Sequence, residues 1–281
     1  MNRLLSKSLY GAIGLKALLI ISLFTINPGT QAGNDKKEYI MGVFPHLPPR
    51  ELEKVFSPMA ADLSKVIGKP VIFRTSSTYQ KFMRQLDNQV FDIAFVQPFD
   101  YVHIADKYGY RPLATRQEKL TAILVTKNDS PLNNINDLKN KTISLAPKVA
   151  AVSYLIKDYI KSHNLIPGKN IELTHHRSHI SCMQQVLIGT ADACGTAAPA
   201  LRFFQHKMKL ELKIIGRSKA IPHTLFSAHP RVPVNVRKNM RNRILNWGKT
   251  ESGKQLLERG RIKPLKAIKD SDYDIVRRMA K

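Results

Sequence analysis

Two hydrophobic periods alternate along this chain, and that alternation limits the folds open to it more than any other feature. From residue 38 onward, short apolar runs of strand type are separated by segments whose apolar residues recur at helical spacing. Residues 38–43 read as a strand. Ser57-Pro58 is predicted to open a helix, with Met59, Leu63, Val66 and Ile67 on one face and Gly68 as its stop. Residues 70–74 form a second strand. Tyr79, Phe82, Met83 and Leu86 mark a second helix, residues 92–96 a buried strand, and Pro98 opens a helix ending near Gly109. Further strands are predicted at residues 122–126, 142–145, 171–175, 191–194, 212–215 and 224–228, followed by a helical tail from Val234. This rhythm predicts an α/β fold with mainly parallel sheets flanked by helices. No Gly- or Ser-rich tether interrupts it, so two lobes would be joined by short paired crossings.

Residues 1–32 read as a cleavable secretory signal. Arg3, Lys7 and Lys16 precede or enter an apolar run, Asn27-Pro28-Gly29 breaks that run, and Thr30-Gln31-Ala32 is a small-residue cleavage site. The run is shorter than the roughly 20 residues of a membrane span. The expected location is therefore periplasmic. The remaining 249 residues carry 42 basic against 21 acidic side chains, a field that attracts anions. From Arg231 to the end there are 15 Lys or Arg against 5 acids, spaced as a solvated helical face. No zinc-finger or RNA-binding signature accompanies the charge, so no nucleic-acid partner is expected.

An oxidising compartment permits a bridge between Cys182 and Cys194. However, the pattern sets one on a helix and the other on the next strand, and packed layers commonly hold Cα atoms beyond the roughly 4.4–6.8 Å a disulfide tolerates. Two buried free thiols are the expectation, with the bridge as the alternative.

A series of segments carries a resemblance. Met41-Gly42-Val43-Phe44-Pro45, Ser57-Pro58, Thr78-Tyr79, Phe91-Asp92-Ile93-Ala94-Phe95, Tyr101, Lys127-Asn128-Asp129-Ser130, Ser178-His179 and Ser218-Lys219-Ala220-Ile221-Pro222 together resemble the periplasmic binding proteins for phosphonate, phosphite and phosphate uptake. The resemblance implies a two-lobed periplasmic binding protein of type II with two hinge crossovers. Residues 38–124 and 224–281 would form one lobe and residues 125–223 the other. It further implies a monomer that closes on a small anionic ligand, a phosphonate-, phosphite- or phosphate-like oxyanion, without chemistry and without a cofactor. The closed form would deliver it to an ABC transporter permease. The alternative output is a membrane sensor kinase, with a non-phosphorus ligand.

In that family a hydroxyl-bearing run at a helix start holds the oxyanion. Here the matching stretch contains Val149, Ala150 and Ala151, with Ser153 as a possible substitute hydroxyl and Lys148 as a charge. Backbone N–H groups at a helix start bind anions whatever the side chains. A hinge tyrosine of the family appears as Leu120, and the acids that recognise a ligand amino group fall at Pro199 and Thr224, which argues against an aminoalkyl ligand. Tyr79, Gln97 and Tyr101 are candidate polar contacts, with aromatic packing as the alternative for each tyrosine. His179 matches a ligand-contacting histidine. Arg177, where the family has a small residue, offers a guanidinium fork to an oxyanion or a solvated loop charge. His175, His176 and His179 invite a metal reading, but the segment before Ile180 reads as strand end and loop. Apart from Cys182 nothing of suitable spacing completes such a site, so no metal is expected. Beyond His179 and Cys182 no pair suggests an enzyme.

Overall fold

The computed structural model describes residues 36–280, and the expected signal segment lies outside the described residues. The chain begins β1 (Tyr39–Val43), α1 (Pro49–Ile67), β2 (Val71–Arg74), α2 (Tyr79–Asp87), β3 (Ile93–Val96), α3 (Pro98–Tyr108) and β4 (Arg111–Arg116). It crosses through β5 (Lys119–Leu120) into β6 (Ile123–Lys127), β7 (Thr142–Leu145), α4 (Ala151–Lys161), β8 (Glu172–His175), α5 (His179–Ile188), β9 (Ala193–Thr196), α6 (Ala198–Met208) and β10 (Leu212–Arg217). It returns through β11 (Ile221–Pro222) to β12 (Leu225–Ala228), α7 (Val234–Asn246), α8 (Glu251–Arg259), β13 (Leu265–Lys266) and α9 (Asp274–Ala280).

Two sheets result. The first has six strands in the order β13-β4-β12-β3-β1-β2, the second five in the order β10-β6-β9-β7-β8. In each, the strands joined by a covering helix run parallel: β1 with β2 and β3, β7 with β8 and β9. The remaining pairs are antiparallel, so both sheets are mixed. Between them, β5 and β11 form an antiparallel two-stranded ribbon, Leu120 opposite Ile221, so the two crossings are hydrogen-bonded to each other.

Local signals explain most of these elements. Gly68 and Gly109 end α1 and α3 in the left-handed conformation, φ 69° and 73°, which costs glycine no Cβ clash. Thr78 caps α2 by accepting the Lys81 N–H. At Gly42 the ring of Phe91 occupies the place a Cβ would take, so the close approach of β1 to the turn before β3 demands glycine.

Four expectations need correction, and one strand went unpredicted. Ser57-Pro58 does not open α1; the helix begins at Pro49, and Pro58 lies in its interior. Leu52, Val55 and Phe56 extend the apolar face of Met59 and Leu63 across the proline, and that burial outweighs the one backbone bond a proline forfeits. On the same helix Val66 stays exposed. The helical tail is interrupted by β13, which adds an edge strand to β4. β4 itself went unpredicted, because Arg111-Pro112 and Arg116 mask the buried run Leu113–Thr115 between them. Finally, Cys182 and Cys194 are joined in a disulfide with Cα atoms 5.7 Å apart. The small residues Ser144 and Cys194 beneath α5 let that helix settle close to the sheet, and the Ser144 hydroxyl donates to the Cys182 carbonyl at 2.9 Å.

Cations of the tail are partly structural. The Arg243 guanidinium donates twice to Asp62 of α1, which also receives the Trp247 indole N–H at 2.7 Å, and these partners hold the Asp62 carboxyl below its usual range. Arg231 joins Lys36 at the fully buried carboxylate of Asp92. These contacts fasten the tail to the first sheet.

Candidate functional site: a cleft between the two sheets

A cleft of about 750 Å³ opens between the sheets at the ribbon, within the roughly 300–1,000 Å³ of small-molecule sites. The second sheet contributes the approach to α4 and the start of α5. Strand β7 ends at Leu145, the chain turns through Pro147, and α4 begins at Ala151 with no side-chain cap of its own. Strand β8 is followed by Arg177, and Ser178 caps α5 by accepting the Ser181 N–H at 3.0 Å. Two helix starts therefore face one space, each presenting the positive end of its dipole.

Of the candidate residues, Tyr79, Gln97, Val149, Ala150, Ala151, Arg177 and His179 line this cleft. Two do not. Tyr101 is fully buried on the far side of α3, its hydroxyl donating to Asp270 at 2.5 Å and its ring tilted on Tyr273; it clamps the tail. Ser153 is fully buried within α4 and donates to the carbonyls of Ala146 and Pro147, so its hydroxyl serves the turn and does not replace the family's donors.

Gln97 links the two sides. From the start of α3 its amide oxygen accepts the Ala151 N–H at 3.0 Å, while Nε2 donates to the Val149 carbonyl at 3.2 Å and to the Tyr79 hydroxyl at 3.3 Å. Beside it the rings of Phe99 and Tyr154 stack with centroids 4.5 Å apart. The Tyr79 hydroxyl donates a hydrogen bond to Asp100, a carboxyl that burial pushes up to about 6 even though Tyr79 and the Gln97 backbone N–H hydrogen-bond to it. Burial next to that carboxyl holds the phenol well above its ordinary value. In this arrangement Tyr79 supports Gln97.

The charges facing the cleft are mostly positive. Arg116, Lys119, Arg177 and Arg261 line it, with Glu118 as the acid among the lining side chains. Glu118 is paired to Arg116; among the described residues Lys119, Arg177 and Arg261 form no ion pair. Arg261 holds a left-handed φ of 49° just past the end of α8, in the turn where the Ile262 N–H donates back to the Leu257 carbonyl at 2.9 Å. It follows Gly260, where a Cβ would press on Val55 at 2.7 Å. Three histidines are held neutral by desolvation. His46 lies against Phe44 and donates to its carbonyl at 3.0 Å, His179 shares a hydrogen bond with Thr196 at 2.9 Å, and His223 accepts the Thr224 N–H at 2.7 Å. His46 and His179 sit below their ordinary value, and His223 falls to about 3, Arg116 adding to the burial effect. His175 and His176 turn instead to the Ala146 carbonyl and Thr174.

Sequence reasoning missed Arg116, Glu118, His46, His223 and Arg261. A usable signal was the charged run Arg116-Gln117-Glu118-Lys119 just before the crossing, since polar residues at a paired crossing must face either solvent or the cleft.

Two helix starts aimed into a cationic cleft, spanned by a double-crossing α/β chain, define a two-lobed binding protein for an anion. The comparisons agree. The family model for the ABC transporter, phosphonate, periplasmic substrate-binding protein matches residues 41–273, and the chain belongs to that family, whose members bind substrates for transporters. It is 23% identical to the phosphonates-binding periplasmic protein of Escherichia coli (strain K12), over 93% of this chain and 81% of that protein. It shares its fold with a Prochlorococcus marinus (MIT 9301) protein solved with methylphosphonate, at TM-score 0.72 and 17% identity, covering 86% of this chain and 97% of that one. A Pseudomonas aeruginosa binding-protein component of an ABC phosphonate transporter superposes at TM-score 0.69 and 16% identity, covering 87% and 86%.

Proposed function

We propose that this chain captures a phosphonate-like oxyanion in the periplasm and hands it to an ABC importer's permease. The observation that carries the reading is the convergence of Arg177, Arg116, Lys119 and Arg261 with the starts of α4 and α5 on one cleft. In a partly enclosed site such cations attract an anion more strongly than they do in water. Family membership supports the transport role.

The mechanism is closure about the β5–β11 ribbon, with residues 38–124 and 224–281 moving as one body and residues 125–223 as the other. Ligand bound across the cleft shifts the population toward the closed form. The protein acts as a monomer, and residues 1–32 serve as its export signal. The family's hydroxyl run is replaced by Val149, Ala150 and Ala151, so side-chain cations take over the neutralisation that the hydroxyls provide elsewhere.

Calorimetry on the mature chain with methylphosphonate, phosphite, phosphate, sulfate and a dicarboxylate tests this. A phosphorus oxyanion should bind at least tenfold tighter than sulfate or the dicarboxylate. Tighter binding of the dicarboxylate, or no heat with any phosphorus oxyanion, would rule the reading out.

A further inference from the structure

The cleft is larger and more apolar than a bare oxyanion requires. Its two sides already touch: Gln97, at the start of α3, bonds to Ala151 and Val149, and the Phe99 ring of α3 stacks on Tyr154 of α4 with centroids 4.5 Å apart. With these contacts made, the cleft still measures about 750 Å³. At the roughly 30 Å³ that a water-sized group takes, methylphosphonate fills about 150 Å³. A ligand that uses the site fully therefore has a second part beyond its charged end.

The lining says what that part is made of. A single exposed leucine means little, but here the apolar side chains collect. Leu47, in the loop between β1 and α1, keeps 43% of its surface exposed. Leu120 of the ribbon, Val149 before α4 and Pro199 in α6 line the same cleft, and none of them is buried. Contiguous apolar surface inside a concavity is the mark of a ligand groove. Both sides of it are held in place. The Val149 carbonyl is fixed by Gln97 at 3.2 Å, and the loop carrying Leu47 leaves β1 through Phe44, whose ring stacks on Phe95 with centroids 5.9 Å apart.

Charge excludes the main alternative. Glu118 is the acid among the lining side chains, and it is paired to Arg116. An ammonium on the ligand would enter a cleft of cations and give up its water without gaining a free carboxylate, a costly exchange. We propose that the cleft selects oxyanions that carry a bulky apolar group, an aryl ring or a chain of several carbons. Leu47 and Val149 close on that group from the two sides, and Arg177 and Lys119 hold the charged end. This deepens the oxyanion reading above and rests on it.

Calorimetry on the mature chain with phenylphosphonate, n-butylphosphonate, methylphosphonate and 2-aminoethylphosphonate tests the inference. The butyl compound adds three methylenes to the methyl one, worth on the order of fiftyfold in affinity if fully buried. At least one of the two bulky compounds should bind at least tenfold tighter than both methylphosphonate and 2-aminoethylphosphonate. In Leu47→Asn the ratio of that compound's affinity to methylphosphonate's should fall at least threefold. A smaller preference in the wild type overturns the inference and leaves the oxyanion reading standing. A smaller fall in the variant overturns the placing of the apolar group against Leu47. Absence of binding by all four compounds overturns the oxyanion reading as well. The wild-type series decides the ligand class even if the variant does not fold.

Discussion

The Gln97 amide caps α4 from across the cleft: its side-chain oxygen accepts the Ala151 N–H at 3.0 Å and its nitrogen donates to the Val149 carbonyl. A residue of the first lobe thus takes the backbone donor that an oxyanion would take in the second. Each such bond is worth about 1 kcal/mol net, so Gln97→Ala, which removes both, should shift the ligand-free population toward the open form roughly thirtyfold. Small-angle scattering should show a larger radius of gyration for the variant. An unchanged profile would mean that the contact does not hold the lobes together.

Arg177→Ala should weaken binding of the preferred oxyanion at least tenfold, about 1.4 kcal/mol, with melting temperature nearly unchanged because the side chain is exposed and forms no ion pair among the described residues. Affinity within a factor of two of wild type would place Arg177 outside the site.

Asp100 should make the fold less stable as pH rises. Its carboxyl, pushed up to about 6 from 3.8 by burial, binds a proton in the folded state that the unfolded chain has released over that interval. Its contribution is therefore lost as pH climbs from about 4 to 6. Denaturant melts at pH 5 and 7 should show Asp100→Asn gaining relative to wild type at the higher pH. Asp62, Asp92 and Asp270, all held below the usual value, act in the opposite sense and below this window.

His223 gives the reverse dependence. Neutral in the fold down to about 3 but with an ordinary value of 6.5 when unfolded, it draws protons into the unfolded state and costs stability as pH falls below 6.5. His223→Asn, which can still accept the Thr224 N–H, should be the more stable protein at pH 5 by up to about 2 kcal/mol. Parallel pH profiles for the two proteins would contradict this.

Reduction of the Cys182–Cys194 bridge, which closes a loop of sequence separation 12, should cost about 3 kcal/mol through the entropy of the unfolded chain. Melting with and without a reductant measures it, and the double Cys→Ser variant should match the reduced protein.

The α/β alternation was legible because burial at period 2 and at period 3.6 leaves a direct trace in the sequence, as in the runs 92–96 and 142–145. The start of α1 was not: Pro58 looks like an opening signal locally, and only packing of Leu52 and Phe56 against the sheet reveals it as interior. The position of Arg177, His179 and the α4 start on the cleft could be read because they sit at strand-to-helix turns, which open α/β sheets turn toward a crevice. Tyr101 and Ser153 share that neighbourhood in sequence, yet their hydroxyls turn away to Asp270 and to Ala146. The Cys182–Cys194 distance depends on how closely α5 settles over Ser144, a tertiary quantity that no periodicity encodes.

The strand order of the first sheet also bears on how the molecule is made. β12, drawn from residues 225–228, lies between β3 and β4, so those two strands lack their shared neighbour until most of the polypeptide exists. Pairings this distant in sequence are slow to form. An emerging chain would therefore remain unfinished and open to chaperones for most of its synthesis, and the ligand cleft would be among the last features to take shape.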